Sequence, residues 1–337
     1  MKPKAYIYPV SKRLKSGDYN PYLQNFIQAT KNKILFLNEE RPSSIGFLDF
    51  FRYILQTDFL ILNWIENLPE KKGGGLQSVL FLLVLRFKKF LGLRVLWIMH
   101  NKVSHSTSHF FLKRLLFKNL LKRTDLILTH AKEGVKFAES LHPGASSRII
   151  YFPHPVVSKK HVDIKKNKKY DILIWGNLAP YKGIDAFLQF LKERNALNKF
   201  RILIIGKSSS EDFFLKIRKY SSNKIIIKNQ FISSSQLVEI IAESDVVLFT
   251  HSGKSVLSSG ALMDSIAHNA IVIGPDLGAF SELGDMGIIE TYNDFEELIH
   301  ILNNKENLNH PNKLQKINKF LNEYSWAEFG KFFESKL

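Results

Sequence analysis

The chain has 337 residues, no cysteine and a formal net charge of +17, with 45% hydrophobic and 12% aromatic residues. This length suits two domains of ordinary size, and the apolar content excludes a disordered chain. The lack of cysteine excludes disulfides, thiolate metal sites and a cysteine nucleophile. Residues 1–150 contain 24 Lys and Arg against 10 Asp and Glu, whereas residues 151–337 contain 24 against 21. The basic first half therefore predicts an anionic partner, either nucleic acid or a membrane surface.

No segment of the sequence has the character of a signal peptide or a membrane span. The first residues contain no apolar stretch of the kind that a secretory signal requires, and we expect none. The longest purely apolar run, Val79–Leu85, is far shorter than the ~20 residues that cross a bilayer. We therefore expect a cytoplasmic protein.

Strand and helix patterns alternate along residues 1–155. The predicted strands cover residues 5–10, 34–37, 59–64, 94–99, 126–129 and 149–152. The predicted helices open at Pro21 and Lys132 and also cover residues 47–55, 77–90 and 110–121. Such alternation predicts βαβ units and a mostly parallel sheet.

A polar, lysine-rich stretch over residues 156–169 predicts an interdomain linker. The alternation restarts at residue 170, with predicted strands over 172–175, 201–205, 224–227, 245–249 and 270–273. The helices between them are predicted over 184–194, 211–220, 235–243 and 259–268. The fold class expected is α/β, with two doubly wound Rossmann-like domains, residues 1–155 and 170–317, facing across a cleft.

A first candidate phosphate site lies at residues 170–183. The predicted strand breaks at Gly176, and the chain then turns through Pro180 and Gly183 into a helix. A strand, a glycine turn, Lys182 and a helix together allow backbone N–H groups and one cation to approach a phosphate. A plain strand-to-helix connection has the same pattern.

A second candidate lies at Ser255–Gly260, between a predicted strand and a predicted helix. Serine hydroxyls and free N–H groups at a helix start suit a diphosphate, although an ordinary serine cap looks the same. Two such turns at the carboxyl ends of strands in one domain favour a nucleotide site, with Asp264 placed to bind a ribose. The predicted donor-binding residues are Gly176, Asn177, Lys182, Lys207, Phe231, Lys254, Ser258, Ser259, Gly260 and Asp264.

The first half offers three candidates for a catalytic base, Glu66, His100 and His105. Glu66 follows the predicted strand 59–64, and His100 directly follows the strand 94–99. A carboxylate at the carboxyl end of such a strand is expected to point into the ligand crevice. If the reaction inverts the configuration of the transferred sugar, a base must act on the acceptor hydroxyl. A lone histidine is more often structural, so His100 and His105 are alternatives to Glu66.

Two helices of the first half are cationic and apolar. The helix over residues 110–123 interleaves phenylalanines and leucines with Lys113, Arg114 and Lys118. This pattern is typical of helices at anionic membranes, and it predicts that these residues and Phe117 contact the membrane or a lipid-linked acceptor. A helix that faces the core and exposes a basic side is an equally good interpretation.

Several segments resemble GT-B glycosyltransferases close to family 4. Residues 176–183, Gly-Asn-Leu-Ala-Pro-Tyr-Lys-Gly, are similar to the donor loop Gly-Arg-Leu-x-x-x-Lys-Gly of that family. Residues 263–272 are similar to its Glu-Ala-Met-Ala-x-Gly-x-Pro-Val segment, and Ser258-Ser259-Gly260 to a Thr-Ser-Gly variant in bacterial surface-polysaccharide enzymes. Residues 318–337 resemble the closing helix that returns to the first domain. Further similar segments are residues 20–22, 63–66, 97–101 and 150–154.

The resemblance implies a glycosyltransferase that moves a sugar from a nucleotide-diphosphate sugar to a polyprenyl-diphosphate-linked saccharide, at the inner face of the cell membrane. It implies that Asp264 is the ribose-binding acid. We expect no cofactor and no metal, because no cluster of His, Asp and Glu has metal-site spacing. The family's first glutamate is replaced by Val256 and its loop arginine by Asn177, so retention of configuration is not carried over.

Two other functions compete with this interpretation. A nucleotide-sugar epimerase of the same fold would need no acceptor and would not explain the basic first half. A non-enzymatic nucleic-acid-binding protein would explain the charge, but no binding module is recognisable and the second phosphate site would have no role. The partners expected are therefore a nucleotide sugar, a lipid-linked saccharide and an anionic membrane surface, and no nucleic acid.

Overall fold

A computed structural model of the chain describes residues 2–10, 21–39, 45–102, 108–157, 168–252, 257–308 and 311–337. His105, Lys254 and most of the predicted linker lie outside these ranges. The chain divides into two compact units, of which the first contains Met1–Pro155 together with Trp326–Leu337, and the second contains Val156–Ser325. Each unit is built on its own parallel sheet.

The sheet of the first unit has six strands in the order β2-β1-β3-β4-β5-β6, and every neighbouring pair is parallel. All five residues of β3 are buried, as expected for a strand covered on both faces. The strand order reverses beside β1, between β1 and β3. The strands are β1 (Lys4–Tyr8), β2 (Leu35–Phe36), β3 (Phe59–Asn63), β4 (Arg94–Met99), β5 (Leu126–Thr129) and β6 (Ile149–Tyr151).

Helices cover this sheet, and short 3-10 helices connect several of its strands. Residues 47–55, predicted as one α-helix, form two 3-10 helices instead. Phe47 and Phe50, three residues apart, are both fully buried, which matches the three-residue period of a 3-10 turn. The α-helices are α1 (Pro21–Thr30), α2 (Gly74–Phe87), α3 (Phe110–Arg123) and α4 (Lys132–Leu141). The 3-10 helices are Gly46–Arg52, Ile54–Gln56, Ile65–Glu70 and Pro143–Arg148.

The sheet of the second unit is also parallel, with the order β9-β8-β7-β10-β11-β12. Its strand order reverses between β7 and β10, which pair through Ile172 with Val246. The last strand was not predicted, because it has three residues and no apolar run. The strands are β7 (Tyr170–Trp175), β8 (Ile202–Gly206), β9 (Ile225–Asn229), β10 (Ser244–Leu248), β11 (Val272–Pro275) and β12 (Glu290–Tyr292).

Seven α-helices belong to the described part of the second unit. They are α5 (Ile184–Glu193), α6 (Glu211–Arg218), α7 (Ser234–Ala242), α8 (Gly260–Ala267), α9 (Gly278–Asp285), α10 (Phe295–Asn303) and α11 (Pro311–Glu323). The start of α7 shows why these boundaries form. The Ser233 hydroxyl accepts the backbone N–H of Gln236, whose side chain binds back to the Ser233 backbone, so two otherwise free donors are paired.

The chain ends in α12 (Trp326–Glu334), which belongs to the first unit. Phe329 and Phe333 are fully buried and lie 5.7 and 5.2 Å from the ring of Phe26 in α1. Residues 318–337 were predicted to form one closing helix. They contain instead the end of α11, in the second unit, and the whole of α12. None of the helices that the structure describes is long and apolar enough to cross a bilayer.

Candidate functional site

The reversal of strand order between β7 and β10 defines a crevice at the carboxyl ends of these strands. In parallel α/β sheets, ligands bind at such a reversal. Gly176 follows β7 with a φ of 102°, and Gly183 precedes α5 with a φ of 66°. Residues with side chains rarely adopt these left-handed angles, so both glycines are required by the turn. The predicted donor loop, residues 176–183, therefore lies at the reversal.

The structure brings this loop together with the start of α8. A Cβ atom on Gly176 would lie 3.6 Å from the Cβ of Ala261, and the indole nitrogen of Trp175 donates to Ser265 Oγ at 2.9 Å. The Thr250 hydroxyl donates to the carbonyl oxygen of Lys182 at 2.7 Å. The segment after β7 and the segment after β10 thus form one continuous surface in the second unit.

Lys182 is a buried cation on this surface, with 9% of its surface exposed. Its Nζ lies 5.9 Å from the centre of the Phe249 ring and 5.6 Å from that of Tyr181. Burial lowers the pKa of Lys182 to about 8. No carboxylate among the described residues forms an ion pair with it. A buried ammonium group without a counterion favours an anion from outside the chain.

The N-terminus of α8 adds donors to the same surface. Ser259 caps the helix without a side-chain hydrogen bond, so its hydroxyl remains available. The N–H groups of the first helical turn have no partners within the helix, and the helix dipole makes this end positive. A Cβ atom on Gly260 would meet no atom within 4 Å, so the space beside it is open. Ser258 and Asp264 are half-buried next to it.

Gly206 is a part of this site that the sequence analysis missed. A Cβ atom at Gly206 would lie 1.6 Å from the carbonyl oxygen of Gly176, so only glycine allows β8 to end so close to the donor loop. A glycine at the carboxyl end of a predicted strand, next to the strand that carries the donor loop, was a signal available in the sequence.

Lys207, Phe231 and Asn177 lie around the same edge of the sheet. Lys207 is exposed, and its carbonyl oxygen accepts the N–H of Leu178 at 2.9 Å, which ties it to the donor loop. Phe231 follows β9 and has 64% of its surface exposed. Burial raises the pKa of Tyr181, and a hydrogen bond from the Asn177 side chain opposes that rise. Asn177 thus contacts the same loop in which Lys182 lies.

In the first unit, His100 follows β4 and is oriented by the neighbouring strand. Its Nε2 lies 2.9 Å from Oδ1 of Asn63, whose amide nitrogen donates to the carbonyl oxygen of Tyr8. Because Oδ1 only accepts, Nε2 must carry the proton and Nδ1 keeps its lone pair. Burial, and then the charges of His130 and His154, hold the pKa of His100 well below its usual value. The ring is therefore neutral, with its lone pair on Nδ1.

His100 belongs to a cluster of rings centred on Tyr22. The Tyr22 hydroxyl donates to His130 Nε2 at 2.7 Å, since His130 Nδ1 donates to the carbonyl oxygen of Phe152. The ring of Trp64 stacks on His100 at 4.3 Å. His130 was missed as a site residue, although it directly follows β5 just as His100 follows β4. Within the described ranges, no three His, Asp or Glu side chains are arranged to hold a metal ion.

Glu66 lies in the interior of the first unit. It belongs to the 3-10 helix Ile65–Glu70, is 3% exposed, and its Oε2 has no hydrogen-bond partner. The chain reaches it through Trp64, whose φ of 47° turns the backbone away from the strand direction. Burial raises the pKa of Glu66 to about 7, against the opposing effects of its own backbone N–H, the Trp97 indole and the charge of Lys113. The expectation that this carboxylate points into an open crevice is wrong, because its neighbours lie in the interior beneath α3.

Two of the four residues predicted to contact a membrane pack against the rest of the first unit. Lys113 is buried and forms an ion pair with Glu70. Phe117 is half-buried, with its ring centre 4.9 Å from that of Trp97. The prediction that Lys113 and Phe117 contact a membrane is therefore wrong, since they hold α3 to the rest of the unit. Arg114 and Lys118 are exposed, and their contact with a membrane or an acceptor stays a prediction.

Comparisons with known proteins show what this chain is similar to. Residues 157–262 match the family model of glycosyl transferases group 1. HepE of Anabaena, in complex with UDP-glucose, has a TM-score of 0.72 at 11% identity, over 100% of this chain and 99% of HepE. The apo lipopolysaccharide outer core galactosyltransferase WaaB has a TM-score of 0.65 at 14% identity, over 100% of both chains. A glycosyltransferase from Rickettsia africae has a TM-score of 0.64 at 13% identity, over 99% of this chain and 97% of its own chain. No curated protein matched the sequence.

The fold is that of the GT-B glycosyltransferases, which confirms the predicted resemblance and the two-domain Rossmann-like fold class. The segment that matches the glycosyl transferases group 1 model contains the donor loop, Lys182 and the start of α8. Residues 157–262 are therefore similar to glycosyl transferases group 1, and the fold of the chain is similar to that of the GT-B enzymes.

Proposed function

We propose that this protein is a glycosyltransferase that moves one sugar from a nucleotide-diphosphate sugar to a lipid-linked saccharide, without a metal ion. The observation that carries the proposal is Lys182, a buried cation that has no ion-pair partner among the described residues and belongs to the loop whose Gly176 approaches Ala261 in the first turn of α8. The structures of HepE contain UDP, and one contains UDP-glucose, which supports a nucleoside diphosphate at the corresponding surface of this chain.

Each donor residue has a distinct role in this proposal. The charge of Lys182 and the N–H groups at Gly260 stabilise the leaving diphosphate, as a metal ion does in other transferases. The hydroxyls of Ser258 and Ser259 add hydrogen bonds to the same oxygens. Asp264, one helical turn further along α8, accepts hydrogen bonds from the ribose. Lys207 and Phe231 border the site at the ends of β8 and β9.

On the acceptor side, the geometry supports His100 as the base if the reaction inverts configuration. A base must lie within hydrogen-bond reach of the hydroxyl whose proton it takes. His100 has a neutral ring whose tautomer is set by Asn63, with the lone pair on Nδ1. Glu66 has a pKa of about 7, which suits a base, but its carboxylate is enclosed. His105 lies outside the described residues.

The acceptor is proposed to be a saccharide on a polyprenyl diphosphate at the inner face of the cell membrane, in the synthesis of a bacterial surface polysaccharide. WaaB is a lipopolysaccharide outer core galactosyltransferase, which supports a saccharide attached to a lipid as the acceptor. The basic first half, with 24 Lys and Arg against 10 Asp and Glu in residues 1–150, also suits an anionic acceptor at an anionic surface.

The test is a thermal-shift panel of nucleoside diphosphates and nucleotide sugars with the wild type and Lys182→Met. At least one ligand should stabilise the wild type, and its affinity for the variant should be about 10- to 100-fold weaker, because a charge-assisted contact is lost. The unliganded variant should be at least as stable as the wild type, since a buried cation without a counterion is removed.

Lys192→Met, at an exposed position of α5, is the matched control and should bind the ligand as the wild type does. Stabilisation of the wild type and Lys182→Met by the same amount would contradict the assigned donor site. No stabilisation of the wild type by any ligand in the panel would contradict the proposed function itself.

A further inference from the structure

The outer side of α2 is apolar along its whole length. Helices on a protein surface normally expose polar residues, and a helix that is apolar all round has an apolar partner. In α5, for comparison, three of the four exposed positions are Gln189, Lys192 and Glu193. The exposed positions of α2 contain a single polar side chain, that of Arg86; they are Gly75, Leu76, Val79, Leu83, Arg86 and Phe87.

The spacing of these residues makes one continuous stripe. Leu76, Val79, Leu83 and Phe87 are three or four residues apart, so they lie on one side of the helix. Phe90, just after the helix, extends the stripe and has 89% of its surface exposed. The opposite side of α2 is filled by buried residues such as Phe81, Val84 and Leu85, so the stripe is not needed for the core.

The neighbouring helix α3 continues the apolar surface. It packs against α2, and it begins with Phe110 and Phe111, which are 65% and 80% exposed. Such a concentration is not found in the described part of the second unit, whose exposed large apolar residues are separated in the sequence, as Leu215 and Leu314 are. Exposed apolar patches of this kind mark a surface that binds a partner or a membrane.

The charges around the stripe identify the partner. Residues 71–124 contain 12 Lys and Arg and no Asp or Glu. Exposed members of this set are Arg86 and Lys89 near the end of α2, Lys118 and Lys122 along α3, and Lys71 and Lys72 before α2. Apolar side chains flanked by such an excess of positive charge complement lipid tails beneath anionic headgroups.

We propose that α2 and the start of α3 lie in the plane of an anionic phospholipid bilayer, with the α2 stripe, Phe90 and Phe111 in the headgroup–acyl boundary. The inference extends the proposed function, since it names the surface through which the enzyme meets a membrane that holds its acceptor. In this proposal the α2 stripe, Phe90 and Phe111 are the membrane contacts, instead of Lys113 and Phe117, whose side chains are turned inward.

The chain has no cysteine, so a single introduced cysteine carries a unique probe. Leu83→Cys, labelled with an environment-sensitive NBD group, is mixed with vesicles of phosphatidylglycerol and phosphatidylethanolamine. The NBD emission should shift to the blue and rise in intensity as the probe enters the bilayer. The same label at Leu215→Cys, an exposed apolar position of the second unit, should not respond. Equal responses at both positions, or none at Leu83→Cys, would overturn the proposal.

Co-sedimentation with the same vesicles tests the charges. Since each basic residue near an anionic surface contributes a factor of about five to binding, Lys89→Glu/Lys118→Glu should bind at least tenfold more weakly. Lys192→Glu/Lys219→Glu, with the same change in net charge on the second unit, should bind as the wild type does. Equal loss in both double variants would overturn the proposed surface.

A second copy of the chain is the competing occupant. A blue shift of the Leu83→Cys probe that grows with protein concentration without lipid, together with a dimer in sedimentation, would overturn the bilayer in favour of a dimer. The vesicle experiments use no nucleotide sugar, so their failure leaves the donor test with Lys182→Met unaffected.

Discussion

Lys182 and Glu66 are both buried ionisable side chains, and burial shifts their pKa values in opposite directions. Removing a group from water disfavours its charged form, so the pKa of the lysine falls to about 8 and that of the glutamate rises to about 7. At neutral pH the lysine is still mainly charged, whereas the glutamate is close to half protonated. Lys182 therefore suits a permanent electrostatic role toward an anion, and Glu66 changes its charge in the physiological range.

We expect Glu66→Gln to stabilise the protein only at high pH. The folded-state pKa lies above the unfolded value, so the stability that protonated Glu66 contributes is fully present below pH 4.5 and is lost as the pH rises through about 7. Glutamine resembles the protonated form at every pH. Denaturant unfolding at pH 8 should show a gain on the order of 3 kcal/mol, at about 1.4 kcal/mol per pKa unit, and no gain at pH 4.5.

A Glu66→Gln variant no more stable than the wild type at pH 8 would contradict the raised pKa of this buried carboxylate. Turnover of the nucleotide sugar provides a second measurement on the same variant. Turnover close to that of the wild type would exclude Glu66 as the base and leave His100 as the described candidate.

The contrast between Lys113 and Glu66 shows what the sequence contains at the scale of single residues. Lys113 lies three and seven residues before Leu116 and Leu120, which are fully buried, so helical periodicity alone predicts its inward direction. The burial of Glu66 depends on the left-handed turn at Trp64 and on the indole of Trp97, 31 residues later. No local pattern encodes that arrangement.

At the scale of elements, the donor site depends on how closely the ends of β7 and β8 approach. The parallel pairing of the two strands continues to Trp175 and Ile205, and Gly176 donates its N–H to the carbonyl oxygen of Ile205 at 3.2 Å. The adjacent Gly206 then leaves no room for a side chain beside the backbone of Gly176. The position of the donor loop is therefore set by backbone contact between two strands.

Gly206→Ala should displace the donor loop and destabilise the second unit by about 1–3 kcal/mol, since its Cβ would overlap backbone atoms that cannot move independently. Diphosphate affinity should fall with it, as measured by titration calorimetry. Gly75→Ala is the matched control, because a Cβ at that position of α2 meets nothing within 4 Å. It should leave ligand binding unchanged and raise stability by up to about 1 kcal/mol. Unchanged affinity in Gly206→Ala would contradict the role of this close approach.

Strands with long apolar runs were predicted from the sequence, whereas several short elements were not. The runs of β3, β4, β7 and β8 are buried on both faces and were predicted within a few residues. The 3-10 helix Ile65–Glu70, which contains Pro69, and the three-residue strand β12 have too few residues for a period to be recognised. Their conformations follow from neighbours distant in sequence.

At the scale of the whole molecule, the chain crosses between the units twice. The first unit contains both ends of the chain, because α12 packs on α1 after the second unit has been completed. The contact is close, since a Cβ on Gly330 would lie 2.4 Å from the carbonyl oxygen of Ala29. The doubly wound pattern predicted two sheets. The assignment of α11 to the second unit and of α12 to the first depends on packing. Phe320 of α11 is buried in the core of the second unit, and Phe329 of α12 is buried in the first unit.

This division predicts that the two units respond separately to perturbation. Phe329→Ala removes a fully buried ring that lies 5.7 Å from Phe26 and 5.4 Å from Phe152, and it should cost the first unit about 3–5 kcal/mol. In scanning calorimetry, Phe329→Ala should lower the unfolding temperature of the first unit. The nucleoside diphosphate should still raise the unfolding temperature of the second unit. Phe320→Ala, the matched change in the core of the second unit, should lower the unfolding temperature that the ligand raises. If Phe329→Ala lowered the ligand-sensitive transition by the same amount as Phe320→Ala, α12 would have to belong energetically to the donor-binding core rather than to the first unit.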